Sequence, residues 1–182
     1  DVNEEAAGQH LKAGASWADT PKQLALQSDV ILTSLPGPPE IEEVYLKAGT
    51  GLIEGLNKDQ VCFDLSTNSP SLIRHIHDKF GKKGVHVLDA PVSGGPKGAK
   101  SGKLAIWVGG DEKVFLKNRF CLDAMGDQVR YIGPIGAGAI SKLVHNSAGY
   151  AIQCAIAEVF TVGVKAGAVS YTHLRAHETC TN

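Results

Sequence analysis

The sequence predicts an α/β fold, a doubly wound and largely parallel sheet followed by one long helix. Short apolar segments alternate with helical segments through most of the chain. Strands that alternate with helical patterns of about ten to fifteen residues are typical of βαβ crossovers. From Gly136 to Ala168 the composition then stays helical, and this stretch is entered through a glycine-rich turn.

Local signals place the elements in chain order. Thr20 before Pro21 is typical of a helix N-cap and first turn. Pro36 ends the first clear strand. Residues Ala15–Ala18 are predicted to form at most a short strand. The predicted strands are Val30–Leu35, Gln60–Leu65, Val85–Leu88, Leu104–Val108 and Val129–Ile132. The predicted helices are Asn3–Ala13, Pro21–Gln27, a helix within residues 37–49, Pro70–Phe80, Asp111–Ala124 and Gly136–Ala168.

The segments that follow the strands are the first candidates for a site, because ligands bind beyond the carboxyl ends of parallel strands. The first three read LPGPP, DLSTNSP and DAPVSGGPKGAKSG. Pro36 has the alternative role of ending a strand. Residues 66–68 could serve only to cap the helix that begins at Pro70.

The third segment favours a ligand more strongly. Its glycines at 94, 95, 98 and 102 expose backbone N–H groups and let a carboxylate come close, and Ser93 adds a hydroxyl donor. A plain flexible loop is the alternative.

Lys142 and Asn146 are the polar pair of the long helix that could carry chemistry. They are four residues apart and therefore share one helix face. A lysine half buried at the mouth of a cleft can act as a general acid, because desolvation lowers the pKa of its ammonium group. The alternative is a solvated stripe on an amphipathic helix, which is the commoner meaning of this spacing.

Residues 133–141, GPIGAGAIS, superficially resemble a dinucleotide-binding turn. Ser141 stands where the third glycine is required, and no further strand ends in an acid about twenty residues later. We interpret these glycines as a joint between two domains. No complete GxGxxG occurs in the chain.

Composition excludes several classes of function. The chain has 182 residues and a net charge of −1, without the cluster of basic residues that nucleic-acid binding requires. It has no run of about 18 apolar residues, so we expect no membrane partner. Four widely spaced cysteines indicate reduced thiols and a cytoplasmic location. His75 and His77 diverge on a helix, and we expect no metal.

Three motifs in register resemble the β-hydroxyacid dehydrogenase family: DLSTNSP, DAPVSGGPKGAKSGKLAIWVGG and GAGAISKLVHNSAG. The resemblance runs from Asp1 to about Ala168 and implies a Rossmann-like sheet. It implies reversible oxidation of a small β-hydroxyacid such as 3-hydroxyisobutyrate by NAD(P). In that reaction Lys142 would exchange the proton of the substrate hydroxyl, with Asn146 as its partner.

The same resemblance implies the binding residues. Those for the substrate carboxylate are Ser93, Gly94 and Gly95. Those for the cofactor are Asp1, Leu35, Pro36 and Thr67.

The resemblance also implies that the chain is truncated. In the family, a βα unit that carries GxGxxG precedes the position of Asp1, and an all-helical domain follows the long helix. We expect a dinucleotide-binding domain at 1–139 without its first βα unit, an interdomain helix at 140–169 and a non-native tail at 170–182. The chain alone should be inactive, and the intact parent should be a homo-oligomer.

Two alternatives stay open. A decarboxylating enzyme similar to 6-phosphogluconate dehydrogenase would need a basic phosphate pocket, and the sequence shows no arginine cluster. A catalytically dead relative could bind only a nucleotide or a partner. Retention of Lys142 and Asn146 disfavours that second alternative.

We expect the intact parent to prefer NAD over NADP. Asp1 falls where the family's second strand ends, and an acid there accepts hydrogen bonds from the ribose hydroxyls. No Lys or Arg precedes Lys12, while Glu4 and Glu5 add negative charge. At about 5 Å each repulsive pair with a 2′-phosphate costs on the order of 1 to 3 kcal/mol, enough for a tenfold preference. Comparing kcat/KM for the two cofactors checks this, and a preference for NADP contradicts it.

Overall fold

The computed structural model describes residues 3–168 and divides the chain into two units, residues 1–142 and residues 143–182. Asp1 and the tail at 170–182 lie outside the described residues, so the expectations about them stay predictions. The described α-helices are α1 Gly8–Lys12, α2 Pro21–Leu26, α3 Pro38–Leu46, α4 Pro70–Gly81, α5 Gly95–Ser101, α6 Glu112–Asp123 and α7 Ala137–Lys165. The described strands are β1 Val30–Thr33, β2 Val61–Asp64, β3 His86–Asp89, β4 Val92–Ser93, β5 Ala105–Gly109 and β6 Gln128–Gly133.

The strands of the first unit form one mixed, mostly parallel sheet, which confirms the predicted α/β class. The order is β1-β2-β3-β5-β4, and β6 pairs with the free side of β5. The pairs β1–β2, β2–β3 and β5–β6 are parallel. The contacts of β5 with β3 and β4 are antiparallel.

The antiparallel contacts arise from the segment that follows β3. Strand β4 continues the direction of β3 after Ala90 and Pro91, since β5 is antiparallel to both. Proline has no N–H to donate to a neighbouring strand, and Pro91 stands between the two pieces. After α5 the chain returns as β5, so the connection is a reversal of direction and not a βαβ crossover.

Two sequence interpretations are corrected by these elements. Residues 15–18 form no strand. The flexible-loop alternative for the glycine-rich segment is wrong, because Val92–Ser93 pairs with β5 and Gly95–Ser101 is helical. The high glycine content hid both elements, since glycine disfavours helix and strand interiors.

Helices cover both faces of the sheet, as the prediction of a doubly wound fold requires. Successive strand residues point to opposite faces, and in β2 the side chain of Cys62 packs in one core while Phe63 packs in the other. The first core contains buried residues of α2, α3 and α4, and the second contains Phe115 and Leu122 of α6. Burial raises the pKa of the Cys62 thiol to about 12.

The second unit is described only as the continuation of α7 and the residues that follow it, up to Ala168. Large apolar side chains on this part of α7 are exposed, among them Val144, Tyr150, Ile152, Val159 and Val162. Among the described residues, α7 alone is long and apolar enough to cross a membrane by length and composition. The core helix of a soluble protein can be equally long and apolar. The expected lack of a membrane partner therefore stays a prediction.

We expect Gly138→Ala to destabilise the fold, because α7 begins in close contact with the sheet. A Cβ atom at Gly138 would overlap the carbonyl oxygen of Trp107 and lie 2.9 Å from a carboxylate oxygen of Asp89. Relieving such overpacking costs about 1 to 3 kcal/mol of unfolding free energy.

Urea denaturation of the chain and its variants measures this effect, with Gly81→Ala as the matched control. Gly81 ends α4, and a Cβ atom added there would have no atom within 4 Å. Its replacement by alanine should raise the free energy of unfolding by up to about 1 kcal/mol. Equal midpoints for the two variants would contradict the expectation.

Candidate active site

The carboxyl ends of three neighbouring parallel strands form one edge of the sheet. Thr33, Asp64 and Asp89 are the last residues of β1, β2 and β3, and they are aligned in register across the strands. All three side chains are buried. Two carboxylates therefore lie at the edge where a doubly wound sheet binds its ligands.

Asp64 is held by donors from both neighbouring segments. Its Oδ1 accepts hydrogen bonds from the Thr33 hydroxyl at 3.1 Å and from the Ser66 amide at 3.1 Å. Its Oδ2 accepts from the Asn68 side-chain amide at 2.9 Å. Because Thr33 donates to Asp64, the Tyr45 hydroxyl donates to Thr33 across 2.8 Å. Burial raises the pKa of Asp64, and these donors act in the opposite direction.

This network fixes the loops after β1 and β2 to each other. The amide of Leu35 donates to the Ser66 hydroxyl at 2.9 Å, so the LPGPP and DLSTNSP segments lie side by side. Ser66 and Asn68 are buried, whereas Pro36 and Thr67 are exposed beside them. The helix-capping alternative for residues 66–68 is incomplete, because Ser66 and Asn68 hold the loop through Asp64 and the N-cap residue of α4 is Ser69.

The glycine-rich segment places Ser93 at the end of β4 and two glycines in unusual backbone conformations. Ser93 pairs with Ala105 of β5 and is half-buried. Gly94 has φ 125° and Gly95 has φ 57°, and both residues are exposed. These φ values are accessible mainly to glycine, which explains the two glycines at this turn.

Asp89 connects the third strand end to the start of α7. Its Oδ1 accepts from the Gly136 amide at 2.7 Å and its Oδ2 accepts from the Ala139 amide at 2.7 Å. Burial raises the pKa of Asp89, and the two backbone donors lower it. The glycines of GPIGAGAIS thus serve the close packing of α7 on the sheet.

Lys142 lies on α7, one turn after Ala139. Its side chain is half-buried, and desolvation lowers its pKa below the ordinary lysine value. Asn146 follows one helical turn later on the same face and is also half-buried. The lowered pKa favours a chemical role for Lys142 over the solvated-stripe alternative, and the role of this pair stays a prediction.

Sequence reasoning missed the roles of Asp64 and Asp89 and the hydrogen bond between Leu35 and Ser66. The available signal was an aspartate as the last residue of each apolar strand, in DLS and DAP. A charged group at the end of a buried strand needs several hydrogen-bond donors. Within residues 3–168, no group of three or more His, Cys, Asp or Glu side chains is placed to hold a metal ion.

Comparison with known proteins decides the family. The family model for the NAD-binding domain of 6-phosphogluconate dehydrogenase matches residues 1–133. The chain belongs to the β-hydroxyacid dehydrogenase family. This confirms the resemblance inferred from the three motifs.

Named members of the β-hydroxyacid dehydrogenase family match most of the chain. An NAD-dependent L-serine dehydrogenase of Pseudomonas aeruginosa is 34% identical over 92% of this chain and 56% of its own length. The mitochondrial 3-hydroxyisobutyrate dehydrogenase of Mus musculus is 33% identical over 92% of this chain and 50% of its own length. The chain thus spans about half the length of the curated relatives it matches.

A solved structure in the same family has the same fold. Mycobacterium tuberculosis 3-hydroxyisobutyrate dehydrogenase with L-serine superimposes with a TM-score of 0.82 at 31% identity. The alignment covers 91% of this chain and 55% of that one.

We expect Ser66→Ala to loosen the two strand-end loops. The substitution removes the acceptor of the Leu35 amide, and an unsatisfied, partly buried N–H costs about 1 to 3 kcal/mol. Thermal or urea unfolding measures the loss. Ser71→Ala is the control, because the Ser71 hydroxyl is exposed and shares a hydrogen bond with that of Ser69; its effect should stay within about 0.5 kcal/mol. Equal stabilities of the two variants would show that the hydrogen bond from Leu35 to Ser66 does not stabilise the fold.

Proposed function

We propose that the chain is part of an NAD-dependent dehydrogenase that oxidises a small β-hydroxyacid. The observation that supports this most directly is Lys142, a half-buried lysine with a lowered pKa at the start of α7. Family membership supports the same reaction class. The names of the relatives narrow the substrate class.

The relatives are named for 3-hydroxyisobutyrate and L-serine. Both acids carry a carboxylate and a hydroxyl on the β carbon, and they differ in the substituent on the α carbon. We therefore propose a substrate with a carboxylate and a β-hydroxyl. The Ser93 hydroxyl and the exposed backbone at Gly94 and Gly95 would bind the carboxylate, since free N–H groups at such a turn form a concavity for anions.

The residues at the carboxyl edge fit the nicotinamide end of NAD. Pro36 and Thr67 are exposed on two loops that the bond from Leu35 to Ser66 holds together. These residues, with Leu35, would bind along the ring, and NAD supplies the hydride acceptor when it is bound. Keeping both loops in place before binding lowers the entropy cost of ordering them.

We propose that a βα unit precedes the chain in the intact parent and carries the phosphate-binding glycines. In support, the sequence contains no GxGxxG, and β1 stands at the end of the described sheet with β2 as its neighbour there. The glycine-rich helix N-terminus that would hold the pyrophosphate would then belong to that preceding unit, and we expect the chain alone to be inactive.

We further propose that an all-helical domain covers α7 in the intact parent. The exposed apolar side chains of α7 support this, because large apolar patches normally mark a surface that another element covers. Residues 1–139 then form the dinucleotide-binding domain, and 140–169 form the interdomain helix. A homo-oligomeric parent in the cytoplasm belongs to the same proposal.

Lys142 is the proposed general base for oxidation and general acid for reduction. Desolvation increases the fraction of neutral amine, which can take the proton from the substrate hydroxyl. The same group, once protonated, returns the proton in the reverse direction. Asn146 would orient the hydroxyl or the amine, because it lies one turn away on the same face of α7.

In the intact enzyme, Lys142→Ala should lower kcat about 10²- to 10⁴-fold, the usual worth of a positioned general acid or base. The dissociation constant for NAD should stay nearly unchanged, because Lys142 acts on the substrate proton. Lys142→Arg should lose activity as well, since a guanidinium keeps its proton at neutral pH.

Steady-state kinetics and calorimetry with NAD measure these effects. Lys117→Ala removes an exposed lysine of α6 and should leave kcat unchanged. Near-normal turnover of Lys142→Ala would return this residue to a solvated helix face and remove the main support for the proposed reaction.

A further inference from the structure

The carboxylate of Asp89 occupies the first turn of α7. Both oxygens accept backbone hydrogen bonds, one from Gly136 and one from Ala139, each at 2.7 Å. The first N–H groups of an α-helix have no partner within the helix. Asp89 comes from a strand end 47 residues before Gly136, so a distant element caps this helix.

Two glycines beside the Asp89 carboxylate allow it to approach the first turn of α7 closely. A Cβ atom at Gly109 would lie 2.6 Å from Oδ1 of Asp89, and one at Gly138 would lie 2.9 Å from Oδ2. Gly138 and Ala139 are also the buried residues of α7. The first turn of α7 is therefore fixed to the ends of β3 and β5 at one point, and Asp89 is at its centre.

Lys142 follows this fixed turn directly. It is three residues after Ala139, which corresponds to about 4.5 Å along the helix axis. Helical side chains lean toward the N-terminus, so the side chain of Lys142 leans toward the turn that Asp89 holds. Any rotation or shift of that turn would move the amine and change how much water surrounds it.

We propose that Asp89 is a positioning residue for Lys142. Its carboxylate holds the first turn of α7 and so sets where the amine of Lys142 lies. This inference rests on the proposed role of Lys142 in proton exchange. It assigns to Asp89 a function beyond helix capping, because the turn that it caps carries the reacting group.

Asp111 provides a matched comparison within the same chain. It also caps a helix, since its Oδ1 accepts from the amides of Lys113 and Val114 at the start of α6. Asp111 is exposed and belongs to the segment directly before α6, whereas Lys142 lies on α7. Asparagine at 89 turns one of the two accepting oxygens into an NH₂ donor, and alanine at 111 removes the single oxygen that accepts both bonds. Both changes therefore weaken a helix cap, but only one of the caps precedes Lys142.

The test compares Asp89→Asn with Asp111→Ala in the intact enzyme. Asp89→Asn should lower kcat about 10- to 100-fold, because a displacement of about 1 Å of a reacting group can cost 10²-fold. The pKa that Lys142 contributes to the pH–rate profile should move up toward the ordinary lysine value as the amine gains water. The dissociation constant for NAD should change less than twofold. Asp111→Ala should lower the melting temperature, because it removes the N-cap of α6, without changing kcat or the profile.

Three outcomes separate the two proposals. If Lys142→Ala keeps its activity, the proposed function fails. If Lys142→Ala loses activity while Asp89→Asn has the same kcat and pH profile as Asp111→Ala, the positioning role is overturned. If Asp89→Asn lowers kcat as strongly in the Lys142→Ala background as in the wild-type enzyme, Asp89 acts independently of Lys142, and the positioning role is again overturned.

A second pair of variants serves if Asp89→Asn does not fold. Ile140 lies between the capped turn and Lys142 and is partly exposed. Ile140→Gly loosens the connecting turn, since glycine costs about 1 kcal/mol in a helix interior relative to alanine. Ile140→Ala removes the same side chain without loosening the turn. A lower kcat and a raised pKa in the glycine variant relative to the alanine variant support the proposal, and identical kinetics overturn it.

Discussion

The rest of the structure depends on the burial of two carboxylates at one edge of the sheet. A buried, ionised carboxylate without donors would cost several kcal/mol, so Asp64 and Asp89 require hydrogen bonds from the segments around them. Asp64 takes them from Thr33, Ser66 and Asn68, and Asp89 takes them from the start of α7. The conformations of three strand-end segments and of one helix terminus follow from that requirement.

The two carboxylates also lower the stability of the fold at neutral pH. Burial raises the pKa of both Asp64 and Asp89, and the charge of Asp64 adds to the effect on Asp89. A carboxyl group with a raised pKa in the folded state binds its proton more tightly there than in the unfolded chain. The cost is therefore present above the folded pKa, and it is removed as the pH falls from there toward the ordinary value of 3.8. The strand ends thus keep their arrangement although the buried charges of Asp64 and Asp89 destabilise the folded state.

Much of the fold could be predicted from the sequence because the strands are short apolar runs between helical patterns. The five strand predictions overlap β1, β2, β3, β5 and β6, and Thr20 caps α2 as expected, accepting from the Gln23 amide at 3.1 Å. The prediction failed in the segment 92–101, where glycine and proline content obscured β4 and α5. Local propensity is weak there, and pairing with β5 determines the structure.

The candidate site could be predicted only in part. The motif predicts a role for Lys142, and desolvation lowers the pKa of its side chain, but the role itself stays a prediction. The roles of Asp64, Ser66 and Asp89 depend on contacts between residues that are far apart in sequence, and no spacing rule encodes these contacts. The sequence separation of 47 between Asp89 and Gly136 illustrates the difficulty.

The chemical reactivity of Cys62 can report how often the folded sheet opens. Its thiol is fully buried in the centre of β2, and its pKa of about 12 leaves almost no thiolate at neutral pH. Thiolate is the reactive form of cysteine, so an alkylating reagent can modify this position only when the sheet opens. Cys121 and Cys154 are at least partly accessible in the folded chain. The delay between their modification and that of Cys62 therefore measures how often the sheet comes apart.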